Sequence, residues 1–153
     1  MRLRLAIPGE GARVNAALAA LSADMGDRHR ASDVLIETAL FGPDVALYAL
    51  LAEDGPALHG VAIFSPQVST YRGAVGVYVS DIWVDAAARG QGLGARLLAG
   101  VRDEAARRWG PGFLRLAVYD DNARARAFYD RLGFHPKPDE IWLTLEGAAL
   151  EAL

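Results

Sequence analysis

The residues with the clearest chemical potential form one glycine-rich segment, Arg89-Gly90-Gln91-Gly92-Leu93-Gly94. It follows an apolar strand-like run and opens a helix-like run, where unpaired backbone N–H groups and the positive end of a helix dipole meet. Glycine lets the backbone approach a phosphate closely, and Arg89 adds a formal positive charge. The spacing therefore predicts a phosphate-binding turn, and a merely flexible strand-to-helix connection is the alternative.

Two common phosphate motifs fit this segment poorly. A P-loop requires Gly-Lys-Ser/Thr at its end, and Lys137 is the only lysine in the chain. A dinucleotide fingerprint is matched by Gly90-x-Gly92-x-x-Ala95, with Asp120 and Asp121 ending the next predicted strand as a ribose-binding acid would. Too few residues follow, however, to build the second half of a dinucleotide-binding fold. That class of enzyme stays a weaker alternative.

A second motif, Asn122-x-x-Ala125-x-x-Phe128-Tyr129-x-x-x-Gly133-Phe134, points to a third interpretation. It resembles the signature of the GNAT superfamily of acyl-CoA-dependent N-acyltransferases. Arg89-x-x-Gly92-x-Gly94 matches the pyrophosphate motif of that superfamily, in the expected order and with a helix and a strand between the two motifs. The resemblance covers nearly the whole chain. It implies a single N-acetyltransferase domain over residues 1–153 and acetyl-CoA as the acyl donor.

The same resemblance implies where the donor binds. The backbone of the glycine-rich segment would hold the pyrophosphate, and the main chain of residues 82–84 would pair with the pantetheine arm like an added strand. In the family these strands splay apart, which here would separate residues 81–84 from residues 114–118. The residues expected to bind acetyl-CoA are Ile82, Trp83, Val84, Arg89, Gly90, Gln91, Gly92, Leu93, Gly94, Asn122 and Arg124.

Two residues are candidates for proton transfer. Tyr129 matches a family tyrosine that lies near the thioester sulfur, and a phenol can protonate a departing thiolate; the alternative is that Tyr129 only packs on an apolar helix face. For the general base, relatives often have a glutamate where this chain has Ser80. Asp81 is the remaining carboxylate on that strand, and its alternative role is to brace neighbouring backbone.

The sequence leaves two classes of amine acceptor open. Loose likenesses to the diamine N-acetyltransferase branch, over residues 21–42 and at Asp139-Glu140-Ile141-Trp142-Leu143, favour a polyamine-like acceptor. Its cationic groups would need carboxylates and aromatic walls. The candidates are Asp24, Asp27, Asp33, Glu37, Tyr78 and Trp83. An amino-acid-like acceptor would instead need a carboxylate clamp, which Arg28 or Arg30 could provide.

The elements that position these residues follow from periodicity and turn signals. Their order predicts an α/β (α+β) protein with a mixed, mostly antiparallel sheet, flanking helices and a β-loop-α-β core. The predicted strands are 2–7, 45–52, 58–67, 74–84, 113–119 and 141–145. The predicted helices are 10–25, a short one after the N-cap Ser32, 92–108 and 123–132.

Composition narrows the function classes. The 153 residues are 52% hydrophobic and include no cysteine. Because the net charge is −3, a general affinity for nucleic acid or anionic membranes is not expected. Without cysteine, an acyl-thioenzyme route is closed and no cysteine metal site exists; three scattered histidines make us expect no metal. We expect a cytoplasmic homodimer that acetylates a small-molecule amine. A non-catalytic acyl-CoA-binding or sensing module is the alternative.

Overall fold

The computed structural model describes residues 1–153 and divides them into two compact units, residues 1–117 and 118–153. The first unit contains a five-stranded sheet whose strands lie in chain order. They are β1 (Arg2–Leu5), β2 (Tyr48–Asp54), β3 (Ala57–Ser69), β4 (Ala74–Val84) and β5 (Leu114–Leu116). The first four pair antiparallel and β5 runs parallel to β4, which confirms the predicted mixed, mostly antiparallel sheet.

Three helices belong to this unit: α1 (Gly11–Met25), α2 (Asp33–Phe41) and α3 (Leu93–Trp109). Ser32 caps α2 as predicted, because its hydroxyl accepts a 3.1 Å bond from the Leu35 N–H. Helices α1 and α2 bury their apolar stripes against one face of the sheet, in a core that includes Val14, Leu51 and Val61.

Helix α3 covers the opposite face of the sheet. Its predicted stripe, Leu93, Leu97, Val101 and Ala105, is buried throughout. A Cβ at Gly60 of β3 would lie only 2.9 Å from Cδ1 of Leu97, so the absence of a side chain lets the helix approach the strand closely. The sequence β4, turn, α3, β5 is the predicted β-loop-α-β unit. No helix of the structure combines the length and apolar character that crossing a membrane requires.

The second unit contains α4 (Ala123–Arg131) and the short α5 (Ala148–Glu151). The chain turns after α4 through Gly133, whose φ of +87° suits glycine. The predicted strand over residues 141–145 is wrong: these residues adopt no regular structure, and Ile141 is 85% exposed. An alternating pattern forms a strand only beside a hydrogen-bonding neighbour, and this unit contains no strand to supply one.

Candidate functional site

The β4–α3 turn (residues 85–92) has a backbone suited to an anion. After a 3-10 turn at Ala86–Ala88, Gly90 and Gly92 adopt φ of +78° and +76°, a conformation that strains any residue with a Cβ. The first bond of α3 runs from the Arg96 N–H to the Gly92 carbonyl at 3.1 Å, and the N–H groups of residues 91–95 donate no hydrogen bond within the protein. Successive undonated N–H groups around left-handed residues form an anion-binding concavity.

Side chains brace this turn from within. Nε of the half-buried Arg89 donates to the Val84 carbonyl at 2.9 Å, and its Nη2 forms an ion pair with Asp24 at the end of α1. Nε2 of Gln91 donates to the Ala87 carbonyl at 3.0 Å. Both side chains therefore bind the protein itself. The partnership with Asp24 spans 65 positions, and no local sequence signal indicates it.

One edge of β4 is open beside the turn. Strands β4 and β5 pair from Val77–Leu114 to Val79–Leu116 and no further, so the predicted splay begins after Val79. On its other side β4 keeps pairing with β3 as far as Val84, apart from a bulge at Ser80. The main-chain groups of residues 82–84 that face away from β3, except the Val84 carbonyl that binds Arg89, are thus available to an added extended chain.

Asp81 lies at this bulge. Its position, two residues before Trp83, places it on the face of the sheet that packs against α1 and α2, because Trp83 contacts that core. The side chain is half-buried, and its Oδ2 accepts a 2.7 Å hydrogen bond from the Ser80 hydroxyl. The carboxylate is therefore held by the residue that replaces the expected glutamate, and it reaches solvent.

The second unit holds Asn122, Arg124 and Tyr129. Oδ1 of Asn122 accepts the Ala125 N–H at 3.0 Å, so its amide caps α4. The Tyr129 ring lies between Phe128 and Phe134, with centroids 5.1 Å and 5.6 Å away, and burial raises the pKa of its phenol above the usual value near 10. Tyr129 therefore stays protonated at neutral pH. Arg124 is exposed.

The α1–α2 connection (residues 26–32) is held by a buried amide that sequence reasoning missed. Nδ2 of Asn15 donates to the Ala31 carbonyl at 3.1 Å and to Oδ1 of Asp33 at 2.7 Å, and its Oδ1 faces Nε2 of His29 at 2.8 Å. His29 is half-buried in this network. The only available signal was an amide directly after the buried Val14 of an amphipathic helix.

Most acids predicted to bind a polyamine already have partners in the protein. The carboxylate of Glu37 accepts the Gly9 and Gly11 N–H groups, each at 2.7 Å, and so caps α1. Asp24 pairs with Arg89, and Asp33 binds Asn15 as described above. The exposed guanidinium groups of Arg28 and Arg30, by contrast, donate no hydrogen bond within the protein.

Comparison with known proteins identifies the class. Residues 16–134 match the acetyltransferase (GNAT) family, and the chain belongs to that family. The thialysine N-epsilon-acetyltransferase of Bos taurus is 31% identical over 140 residues, which are 84% of this chain and 81% of that protein. The enzyme of the same name from Mus musculus is 33% identical over 124 residues, 74% and 72% of the two chains.

Solved structures agree on the fold. An integron cassette protein from the mobile metagenome of V. cholerae superimposes with a TM-score of 0.81 at 18% identity, over 99% of this chain and 95% of that one. The family match and the thialysine N-epsilon-acetyltransferase relatives identify the chain as an N-acetyltransferase, which confirms the enzyme class that the two motifs predicted. The dinucleotide-binding and purely sensory alternatives are set aside.

Proposed function

We propose that this enzyme transfers an acetyl group from acetyl-CoA directly to a primary amine of a small, amino-acid-like molecule. The observation that carries the proposal is the β4–α3 turn, whose undonated N–H groups and left-handed glycines suit a pyrophosphate in a chain of this family. The binding residues are those that the sequence predicts, Arg89–Gly94 for the pyrophosphate and Ile82–Val84 for the pantetheine arm, together with Asn122 and Arg124.

The reaction needs one bond made, one broken and two proton transfers. Acetyl-CoA supplies a thioester whose carbonyl carbon the amine attacks; the C–N bond forms and the C–S bond breaks. Asp81 takes the proton that the amine loses, and Tyr129 gives its proton to the departing thiolate. The raised pKa of Tyr129 supports this role, because the phenol then carries its proton at every physiological pH. The chain has no cysteine, which favours direct attack.

Charge in the α1–α2 connection favours an acceptor with a carboxylate. A polyamine would need unengaged acids, but Asp24, Asp33 and Glu37 are occupied within the protein. Arg28 and Arg30 are exposed there and match a carboxylate in geometry. The relatives are named for thialysine, which carries an α-carboxylate and a terminal primary amine. A polyamine-like acceptor stays the second candidate, on the likeness to the diamine branch.

The test combines two readouts on the purified protein. Acetyl-CoA is mixed with thialysine, lysine, spermidine or a peptide with a free N-terminus, and CoA release is followed with a thiol-reactive chromogen. The protein contributes no thiol of its own to this signal. Mass spectrometry of the acceptor then locates the added acetyl group. We expect acetylation of the terminal amine of thialysine; CoA release without an acetylated acceptor, or no turnover with any amine, would contradict the proposal.

Four further expectations belong to this proposal and stay predictions. The two units would work as one N-acetyltransferase domain over residues 1–153, the protein would form a homodimer, and it would act in the cytoplasm without a metal ion. Light scattering coupled to size-exclusion chromatography measures the molar mass: about twice 16.4 kDa supports the homodimer and 16.4 kDa contradicts it.

A further inference from the structure

Arg89 is the one positively charged side chain of the β4–α3 turn, and its contacts face inward. Its Nε donates to the Val84 carbonyl at 2.9 Å, and its Nη2 pairs with Asp24. Two sides of the guanidinium are therefore committed to the protein. The side chain is also half-buried between the end of β4 and the end of α1.

The Val84 carbonyl occupies a particular place on the sheet. The Asp85 N–H donates to the His59 carbonyl of β3 at 2.9 Å, so the main-chain groups of Asp85 face β3. Because these groups alternate along a strand, those of Val84 face the other way, toward the open edge of β4. The Arg89 side chain thus caps the last carbonyl of that edge, at the point where the chain leaves the strand and enters the turn.

We propose that Arg89 is a positioning residue for acetyl-CoA binding and that it acts together with Asp24. We call this pair, which binds the Val84 carbonyl, the clamp. Asp24 holds the guanidinium against the Val84 carbonyl, which fixes the turn so that the N–H groups of residues 91–95 converge on the pyrophosphate. The phosphates are bound by backbone, and the Arg89 charge is neutralised by Asp24. This inference rests on the proposed function and refines the role that the sequence suggested for Arg89.

The clamp and a direct phosphate contact by Arg89 predict opposite changes in CoA affinity for one substitution. If Asp24 positions Arg89, Asp24→Asn weakens CoA binding. If Arg89 binds phosphate and Asp24 merely competes for it, Asp24→Asn frees the guanidinium and strengthens CoA binding. The double variant adds a second criterion, because residues that act through one contact show non-additive effects.

The experiment measures the Kd of CoA by calorimetry, the KM for acetyl-CoA and the melting temperature. The variants are Asp24→Asn, Arg89→Gln, Arg89→Lys and the double variant of Asp24→Asn with Arg89→Gln. Asp44→Asn is the matched control, since it removes one negative charge from an exposed residue between α2 and β2. Lysine keeps the charge at position 89 but cannot bond Val84 and Asp24 as a planar fork does.

We expect Asp24→Asn to raise the Kd about threefold and Arg89→Gln to raise it about tenfold, with kcat at saturating acetyl-CoA nearly unchanged. Arg89→Lys should bind as weakly as Arg89→Gln, the double variant should be no weaker than Arg89→Gln, and Asp44→Asn should match the wild type. Tighter binding by Asp24→Asn, wild-type affinity in Arg89→Lys, or additive losses would overturn the clamp. Wild-type protein that does not bind CoA would overturn the proposed function, and the clamp with it.

Discussion

The β4–α3 turn and the α1–α2 connection differ in which polar groups have no partner within the protein. In the turn, side chains bond the protein and backbone N–H groups are left over. In the connection, a buried asparagine holds the loop, and two arginine side chains are left over. Backbone donors recognise any phosphate, whereas arginine forks select the shape and charge of one partner. The first region therefore suits the acyl donor common to the family, and the second suits an acceptor specific to this enzyme.

The largest effect is expected outside both regions, at the proposed acid. Tyr129→Phe should lower kcat about 10²-fold or more and leave the Kd of CoA unchanged, because the hydroxyl is lost and the ring remains. Tyr71→Phe, at a 93% exposed hairpin tyrosine, is the matched control and should match the wild type in both quantities. An unchanged kcat in Tyr129→Phe would remove the phenol from the mechanism.

The pH profile tests the same residue independently. Because burial raises the pKa of Tyr129, the phenol keeps its proton to higher pH than an exposed tyrosine. Any alkaline loss of kcat that it causes must lie above pH about 10. An alkaline loss centred between pH 7 and 9 in the wild type, absent from Tyr129→Phe, would contradict the raised pKa.

Two glycines with nearly the same backbone allow the two regions to be compared directly. Gly92 has φ +76° and ψ 7°, Gly26 has φ +74° and ψ 17°, and a Cβ at either meets no atom within 4 Å. Alanine at either position should cost about 1 to 2 kcal/mol of stability. Only Gly92→Ala should weaken CoA binding, about tenfold, which corresponds to about 1.4 kcal/mol.

Steady-state kinetics and chemical unfolding of both variants check this comparison. Gly26→Ala should raise the KM of the acceptor instead, since Gly26 begins the α1–α2 connection. Equal losses of CoA affinity in Gly92→Ala and Gly26→Ala would show that the β4–α3 turn has no special role in donor binding.

The arginines of the α1–α2 connection should affect only the acceptor. Arg28→Gln or Arg30→Gln should raise the KM for thialysine about 3- to 10-fold and leave the KM for acetyl-CoA unchanged. Arg131→Gln, which removes an exposed arginine at the end of α4, is the control. If both variants keep the wild-type KM for thialysine, the carboxylate is not bound by this connection.

The smallest effect concerns the start of α1, the helix whose last turn contains Asp24. Hydrogen bonds from Arg4 lower the pKa of Glu10 to about 2, despite the opposing effect of burial. Since this pKa lies below the unfolded value near 4.3, the stabilisation is present above that value and is lost as the pH falls toward 2. Glu10→Gln should flatten the acid side of the melting-temperature profile, and Glu146→Gln, at an exposed residue, should not.

Local chemistry explains which features the sequence predicted. The strand over residues 74–84, the buried stripe of α3 and the Ser32 cap depend on neighbouring residues, so periodicity and capping rules predicted them. The Asp24–Arg89 pair, the Asn15 network and the Glu37 cap join residues 14 to 65 positions apart. Those contacts follow from packing α1 and α2 on the sheet, which periodicity does not specify. The prediction of a strand at residues 141–145 was wrong for a related reason. An alternating pattern does not show whether a neighbouring strand is present to pair with it.

The most direct test of the account measures kcat/KM for thialysine and for its decarboxylated counterpart, 2,2′-thiobis(ethylamine), at saturating acetyl-CoA. The two acceptors share the reacting amine and the thioether, and they differ in the carboxylate. The account predicts that thialysine is acetylated at its terminal amine with a kcat/KM about tenfold higher, the effect of one charge-assisted contact. Equal values, or a preference for the diamine, would contradict the assignment of Arg28 and Arg30 and favour a polyamine-like acceptor.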